Sequence, residues 1–226
     1  MNNDKNYFDR IAERGQLIVI SGPYGMGVKD VINEYLAQHP SGTRCVGVTT
    51  REPREGEQDG VDFNFISNME FERMIRTQEM MEYVYHQRTG YGTPKKAVED
   101  ARAAGKNVIL RLDLVGAMKV RALCPDATLI FILPATWNDL KNNIISRNLS
   151  KEEIEAELMV AQEEIQCMGQ YDYILVNENI GKTVSRLGQI IHGNRYSQNS
   201  MKAFVESYIE SEINTPSELV QEILSL

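Results

Sequence analysis

Residues 21–30 read SGPYGMGVKD, a glycine-spaced turn set between the apolar run GQLIVISG (Gly15–Gly22) and a segment carrying Val31, Ile32, Tyr35 and Leu36. A short β-branched run ending in glycine is the pattern of a buried parallel strand. Apolar residues recurring three and four positions apart mark one face of a helix. Strand, glycine turn and helix in that order are the setting in which G-x-x-x-x-G-K-[ST] cradles phosphate, because the turn aims backbone N–H groups at an anion. Gly22, Gly25 and Gly27 fall on that pattern, but Val28 stands at the lysine position, Lys29 at the hydroxyl position, and Asp30 follows. The helix keeps Val31 and Ile32 as its first buried pair without any inserted residue, so Val28 replaces the lysine outright.

Further along, NVILRLDLVG (Asn107–Gly116), ATLIFILP (Ala127–Pro134) and YDYILVN (Tyr171–Asn177) read as buried strands. Amphipathic stretches over Pro94–Ala104, Gly116–Leu123 and Trp137–Met168 read as helices between them. Alternation of this kind predicts an α/β fold, a parallel sheet with helices on both faces. The segment between the first helix and Pro94, rich in charge, Gly, Thr and Tyr, has the character of an inserted module. Near the end, Met201, Phe204, Val205, Tyr208 and Ile209 make one helical stripe, and Thr215, Pro216 and Glu218 open a last helix with a capping box.

The bulk numbers narrow the classes. A chain of 226 residues, 42% hydrophobic and 25% charged, suits one soluble globular domain. A net charge of −8 argues against a general nucleic-acid binder, so no DNA partner is expected. Three scattered cysteines, Cys45, Cys124 and Cys167, lack metal-ligand spacing and fit reduced thiols. The first residues lack the basic start and apolar run of a secretory signal, and no apolar stretch approaches the length of a membrane span. A cytoplasmic protein without membrane contact is the expectation.

The passage VGVTTREPREGEQDGVDFNFIS (Val46–Ser67) places Arg51 and Arg54 three apart in a turn closed by Gly56 and Gly60. Paired guanidinium forks suit a phosphate dianion, although such a turn taken alone reads first as a solvated surface turn with ordinary ion pairs. Together with MMEYVYHQRTGYGTPKKAV (Met80–Val98) and the altered loop, it resembles the guanylate kinase family from about Gly15 to about Ile191. The run T-T-R-x-P-R-x-G-E-x-D-G-x-D-[YF]-x-F is long and order-specific. The resemblance implies a P-loop nucleoside monophosphate kinase-like fold in a single domain, 1–226. Its core would be 15–45, 95–135 and 162–192, its GMP-binding module 46–94 and its helical lid 136–161, with a C-terminal helical extension over 197–226. It implies transfer of the ATP γ-phosphoryl group to GMP with Mg²⁺. By the same resemblance Arg51, Arg54 and Tyr91 hold the GMP phosphate, and Glu82 and Asp113, assisted by Thr93, accept hydrogen bonds from guanine. That division suits the chemistry, since an ionised carboxylate only accepts and guanine offers adjacent donors where adenine does not. Two positions depart from the pattern: Gly47 replaces a serine and Phe63 a phosphate-binding tyrosine, each at a cost of about 1 kcal/mol net.

The phosphoryl-transfer half departs further. In the lid-like segment NIISRNLSKEEIEAELMVA (Asn143–Ala161) only Arg147 remains of the family's arginines, with Asn143 and Glu157 in place of two others. Arg111 stands where the family has an acid and Val115 where it has a glutamine. Catalysis of this transfer is positioning plus charge stabilisation. One lost transition-state donor costs roughly 100- to 1000-fold in rate, and an arginine on the moving phosphoryl group is worth about 1000-fold or more. Lys29 and Arg147 are the remaining candidate catalytic cations, and no residues are assigned as metal ligands. The expectation is a GMP-binding protein whose transfer from ATP is weak or lost, with Mg²⁺ and ATP as cofactors only if transfer survives. The alternative is an inactive pseudokinase serving as a guanine-nucleotide sensor or protein-interaction scaffold. The apolar stripe of the C-terminal helices reads most simply as docking onto the host domain; a homodimer through these helices is the sharper alternative, because the apolar residues of LVQEIL need burial.

Overall fold

The computed structural model describes residues 14–147 and 149–208. β1 (Leu17–Ser21) leads through the glycine turn into α1 (Val28–Gln38), and β2 (Gly42–Arg44) follows. Then come β3 (Val48–Thr49), β4 (Asn64–Phe65), α2 (Asn68–Arg76), β5 (Met80–His86) and β6 (Thr89–Pro94). The chain continues through α3 (Lys95–Ala103), β7 (Asn107–Arg111), α4 (Leu114–Leu123), β8 (Thr128–Pro134), α5 (Trp137–Ile145) and α6 (Lys151–Gln166). A short 3-10 turn (Met168–Gln170), β9 (Tyr173–Asn177), α7 (Ile180–Asn194) and α8 (Gln198–Tyr208) complete it.

The larger sheet has the order β2-β7-β1-β8-β9 and every pairing in it is parallel. Alternate residues of the central strands face opposite ways, as pleating requires. Ile18, Ile20, Ile109, Ile130 and Ile132 pack with Val31, Ile32 and Tyr35 of α1 and Val184, Leu187 and Ile191 of α7. Leu17, Val19, Val108, Leu110, Leu129 and Phe131 pack on the other face with Val98 of α3 and Ala117 and Val120 of α4. Both faces are therefore covered, and the strands read as continuous apolar runs for that reason. A second, mixed sheet of order β4-β3-β6-β5 carries its own core of Val48, Phe71, Met74 and Met80. Its β5–β6 hairpin turns on Gln87 and Arg88, both at positive φ (47° and 69°), the backbone of a two-residue turn that matches strand twist.

Two sequence expectations shift. The run Asn107–Gly116 ceases to be strand at Arg111, because Asp113 caps α4 by accepting a hydrogen bond from Gly116 N at 2.7 Å. The stretch Trp137–Met168 is two helices rather than one. Ser150 and Glu153 form a reciprocal capping box at the start of α6, which restarts the helix after α5 ends. The stripe residues Met201 and Phe204 lie half-buried on α8 and Val205 is exposed, while Ile209 and the capping box at Thr215, Pro216 and Glu218 lie outside the described residues. Among the described residues, no helix is long and apolar enough to cross a membrane.

Candidate functional site

The glycine turn retains the backbone that phosphate loops need. Gly25 and Gly27 adopt positive φ (91° and 68°), a region cheap only for glycine. Gly27 caps α1 with no side-chain hydrogen bond, so the first N–H groups of the helix stay available to an anion. The side chain at the lysine position goes elsewhere. Val28 is 7% exposed and packs in the cluster formed by β1, α1 and β8. Its Cγ2 lies 3.1 Å from where a Cβ on Gly22 would stand. Lys29 and Asp30 are exposed.

The turn is braced from two sides. Asn177, at the end of β9, donates through Nδ2 to Met26 O at 2.9 Å. Asn143 of α5 donates to Gly25 O at 3.3 Å, and the Arg147 guanidinium lies over the Tyr24 ring, 4.5 Å from its centroid. Between these elements opens a cleft of about 420 Å³, walled by the turn from Gly22 to Asp30 and by Arg111, Leu112, Asp113, Arg147 and Glu164. The structure thus brings Gly22, Gly25, Gly27, Lys29, Asp113 and Arg147 to one cavity.

Asp113 also faces the second sheet. A Cβ built on Gly116 would lie 3.2 Å from Asp113 Oδ1 and 3.2 Å from Glu82 Oε2, so the two carboxylates flank a position where a side chain would crowd both. Glu82 is 5% exposed and accepts from Thr93 Oγ1 at 2.6 Å. Burial raises its pKa; the Thr93 hydrogen bond opposes this, and the neighbouring Asp113 charge adds to it. A buried carboxyl with a free oxygen beside a second carboxylate accepts hydrogen bonds from paired donors and rejects a ring edge that offers none. Lys119 donates to Tyr83 O and lies 4.7 Å from the Tyr83 ring centroid, which steadies β5 beneath Glu82.

At the other end of this sheet Arg51 is held in a bidentate pair with Glu57, at 2.6 and 2.7 Å. The Glu57 carboxyl is drawn down to about 2, chiefly by that hydrogen bond to Arg51, and the Arg51 guanidinium is raised in turn. Arg51 also lies over Phe63 and Phe65, at 5.3 and 5.6 Å, and its Nε is buried without a partner. Arg54, exposed, donates its backbone N–H to Glu57 at 2.8 Å, so two guanidinium groups and one carboxylate share the turn. Tyr91 stands across from Phe63 with ring centroids 5.9 Å apart. Gly47 fits its place: a Cβ there would lie 3.0 Å from Gly92 O, tight for the serine of the family pattern.

Sequence reasoning missed three participants. Glu57 is legible as the acid six residues beyond Arg51 in the same turn. Asn177 ends an apolar strand next to nothing that advertises the turn it braces. Glu164 lies inside a long amphipathic stretch, and only the tertiary fold sets it on the cleft, where burial and then the Asp113 and Glu157 charges lift its pKa to about 7.

A glycine turn with left-handed glycines between a central parallel strand and a helix, with the cleft at the carboxyl ends of the strands, defines a phosphate-loop α/β protein. Its particular kind follows from comparison with known proteins. The sequence profile of the guanylate kinase family matches residues 14–194. The guanylate kinase of Listeria innocua is 41% identical over 184 residues, 80% of this chain and 89% of that protein. The guanylate kinase of Clostridioides difficile is 35% identical over 202 residues, 89% of this chain and 98% of that protein. The crystal structure of the guanylate kinase from Anaplasma phagocytophilum superposes with a TM-score of 0.69 at 27% identity, covering 91% of this chain and 98% of that one. The chain belongs to the guanylate kinase family.

Proposed function

We propose that this protein binds GMP and that its phosphoryl transfer from ATP with Mg²⁺ to GMP is weak or lost. The second sheet with α2 serves as the GMP-binding module, and α5 with α6 as the lid over the phosphate turn. Arg51, Arg54 and Tyr91 hold the monophosphate. For Arg51 this means exchanging part of its pairing with Glu57 for the incoming dianion, a charge-assisted exchange that needs no new burial. Glu82 and Asp113 accept from the guanine edge, and the Thr93 hydroxyl, hydrogen-bonded to Glu82, keeps that carboxylate oriented.

The single observation that carries the weak-transfer half is the direction of Val28. Where the family's lysine is expected, the side chain is part of the core, and its neighbour Lys29 is exposed on the cleft wall, one position along α1 from the lysine's place. Arg147 remains beside the loop, stacked on Tyr24. A positioned cation is worth orders of magnitude in this chemistry, and one of the expected set has been converted to packing.

Calorimetric titration of GMP, paired with a coupled assay of GDP formation, tests the whole reading. The expected result is micromolar to millimolar GMP binding with turnover at least about 1000-fold below an intact relative assayed alongside, one loop cation being worth that much. Turnover equal to that of the relative would refute the reading. GMP binding without measurable turnover supports the second reading, a guanine-nucleotide sensor.

A further inference from the structure

The cation that family kinases use at this turn is Mg²⁺, and the side chains around the cleft do not suit it. A magnesium ion takes oxygen ligands, commonly one or two carboxylates or a hydroxyl together with phosphate oxygens and water. Among the described residues, no group of three or more His, Cys, Asp or Glu is placed to hold a metal ion. Of the three carboxyl groups on the cleft, Glu164 is partly buried with its pKa raised to about 7, and Asp113 has an oxygen committed to capping α4. Asp30 follows directly on Lys29 at the start of α1. The hydroxyl position is filled by Lys29, whose ammonium can only donate.

The same wall carries three cations beside its three carboxyl groups, Asp30, Asp113 and Glu164. Lys29, Arg111 and Arg147 all line the cleft. Arg111 ends β7, and Arg44 ends the neighbouring β2, paired in register with Ile109 two residues before Arg111. Arg44 is near enough that its charge, after desolvation, makes Arg111 easier to deprotonate. Among the described residues, Lys29, Arg44 and Arg111 have neither an ion pair nor a side-chain hydrogen bond. Two unpaired guanidinium groups at neighbouring strand ends, Arg111 on the cleft wall and Arg44 beside it, repel one another, and an anion bound at Arg111 relieves that repulsion.

We infer that this cleft takes the polyphosphate chain of a nucleotide without a divalent cation, Lys29 and Arg111 standing where the metal would sit and Arg44 reinforcing Arg111. The inference rests on reading the glycine turn as a phosphate site. Its consequence is an inverted metal response: magnesium, by occupying the phosphate oxygens, competes with the protein's own cations.

Isothermal titration of the full chain with ATP, in EDTA and again in excess MgCl₂, decides it. ATP is expected to bind in EDTA and to bind at least about tenfold more weakly with Mg²⁺, the scale of one charged hydrogen bond gained or lost. Lys29→Ser with Arg111→Glu is expected to lose at least about tenfold in EDTA and to abolish the penalty from Mg²⁺. Both side chains are exposed, and an unchanged melting midpoint confirms that the variant is folded. The single change Arg111→Gln is expected to give the same loss in EDTA without introducing an acid. ATP binding that requires Mg²⁺ overturns the inference while leaving the turn a phosphate site. Absence of ATP binding under both conditions overturns the inference and the phosphate reading of the turn together. Wild-type affinity retained by both variants in EDTA also overturns it. GMP titrated in parallel reports separately on the proposed GMP function.

Discussion

Glu164 offers a quantitative test of the cleft's electrostatics. Burial and the nearby Asp113 and Glu157 charges move its carboxyl from an ordinary 4.5 to about 7 in the folded protein. The folded state therefore binds this proton more tightly than the unfolded chain does. The contribution to stability is intact below about pH 4.5 and is lost as pH rises to about 7, the reverse of a salt-bridged acid. At 1.36 kcal/mol per pH unit the full loss is about 3 kcal/mol, and partial exposure to solvent reduces it to about 2. Glu82, also raised by burial, adds a loss of the same sign. Urea unfolding at pH 5.0 and 8.0 measures the effect directly, because the midpoint multiplied by the slope gives the free energy at each pH. Glu164→Gln keeps the shape and removes the titration. Its stability is expected to fall between the two pH values by about 2 kcal/mol less than that of the wild type. A variant with the same pH dependence as the wild type would refute the placement of Glu164 against Asp113.

Four other outcomes are expected. Arg51→Ala should weaken GMP binding by about 10- to 100-fold in calorimetry, the worth of a charged hydrogen-bonding group, while Glu57→Ala should change it far less. Gly116→Ala inserts a methyl between Asp113 and Glu82 at 3.2 Å from each; GMP affinity should drop about tenfold with the melting midpoint within a few degrees, since helix α4 tolerates alanine. Val28→Lys should cost about 1–3 kcal/mol in urea unfolding, because it sends an ammonium into a packed cluster, and alone it should not raise turnover. Arg102 is 3% exposed, donates to Gly15 O at 2.9 Å and pairs with Asp126, which is about half exposed; Arg102→Ala should destabilise by about 1–3 kcal/mol, the cost of leaving Gly15 O without its donor and losing the packed stem.

Much of the fold was legible because its signals are local. GQLIVISG, NVILRLDL and ATLIFILP lie between helices on both faces, so they announce themselves as unbroken apolar runs. The break between α5 and α6 was missed because Ser150 and Glu153 act through a cap three residues wide inside a stretch whose amphipathic period continues across it. The candidate site was legible where chemistry follows chain order, as in the turn holding Arg51 and Arg54, although their partner Glu57 was passed over. It was illegible where tertiary approach makes the chemistry. Nothing in the sequence places Arg44 beside Arg111, since 66 residues intervene and only the parallel pairing of β2 with β7 aligns them. Nor does the sequence turn Val28 inward; that follows from the packing of α1 on β1 and β8.

The contact between Arg147 and Tyr24 ties the connection after α5 to the glycine turn. Any occupant of the turn competes with an aromatic face for the same guanidinium. Filling the turn and releasing this connection are then two sides of one equilibrium, and linkage requires each to shift the other by the same factor. A fluorophore on the exposed Lys151, four residues from Arg147, would therefore read occupancy of the turn from outside the cleft, with a signal whose midpoint is the binding constant itself.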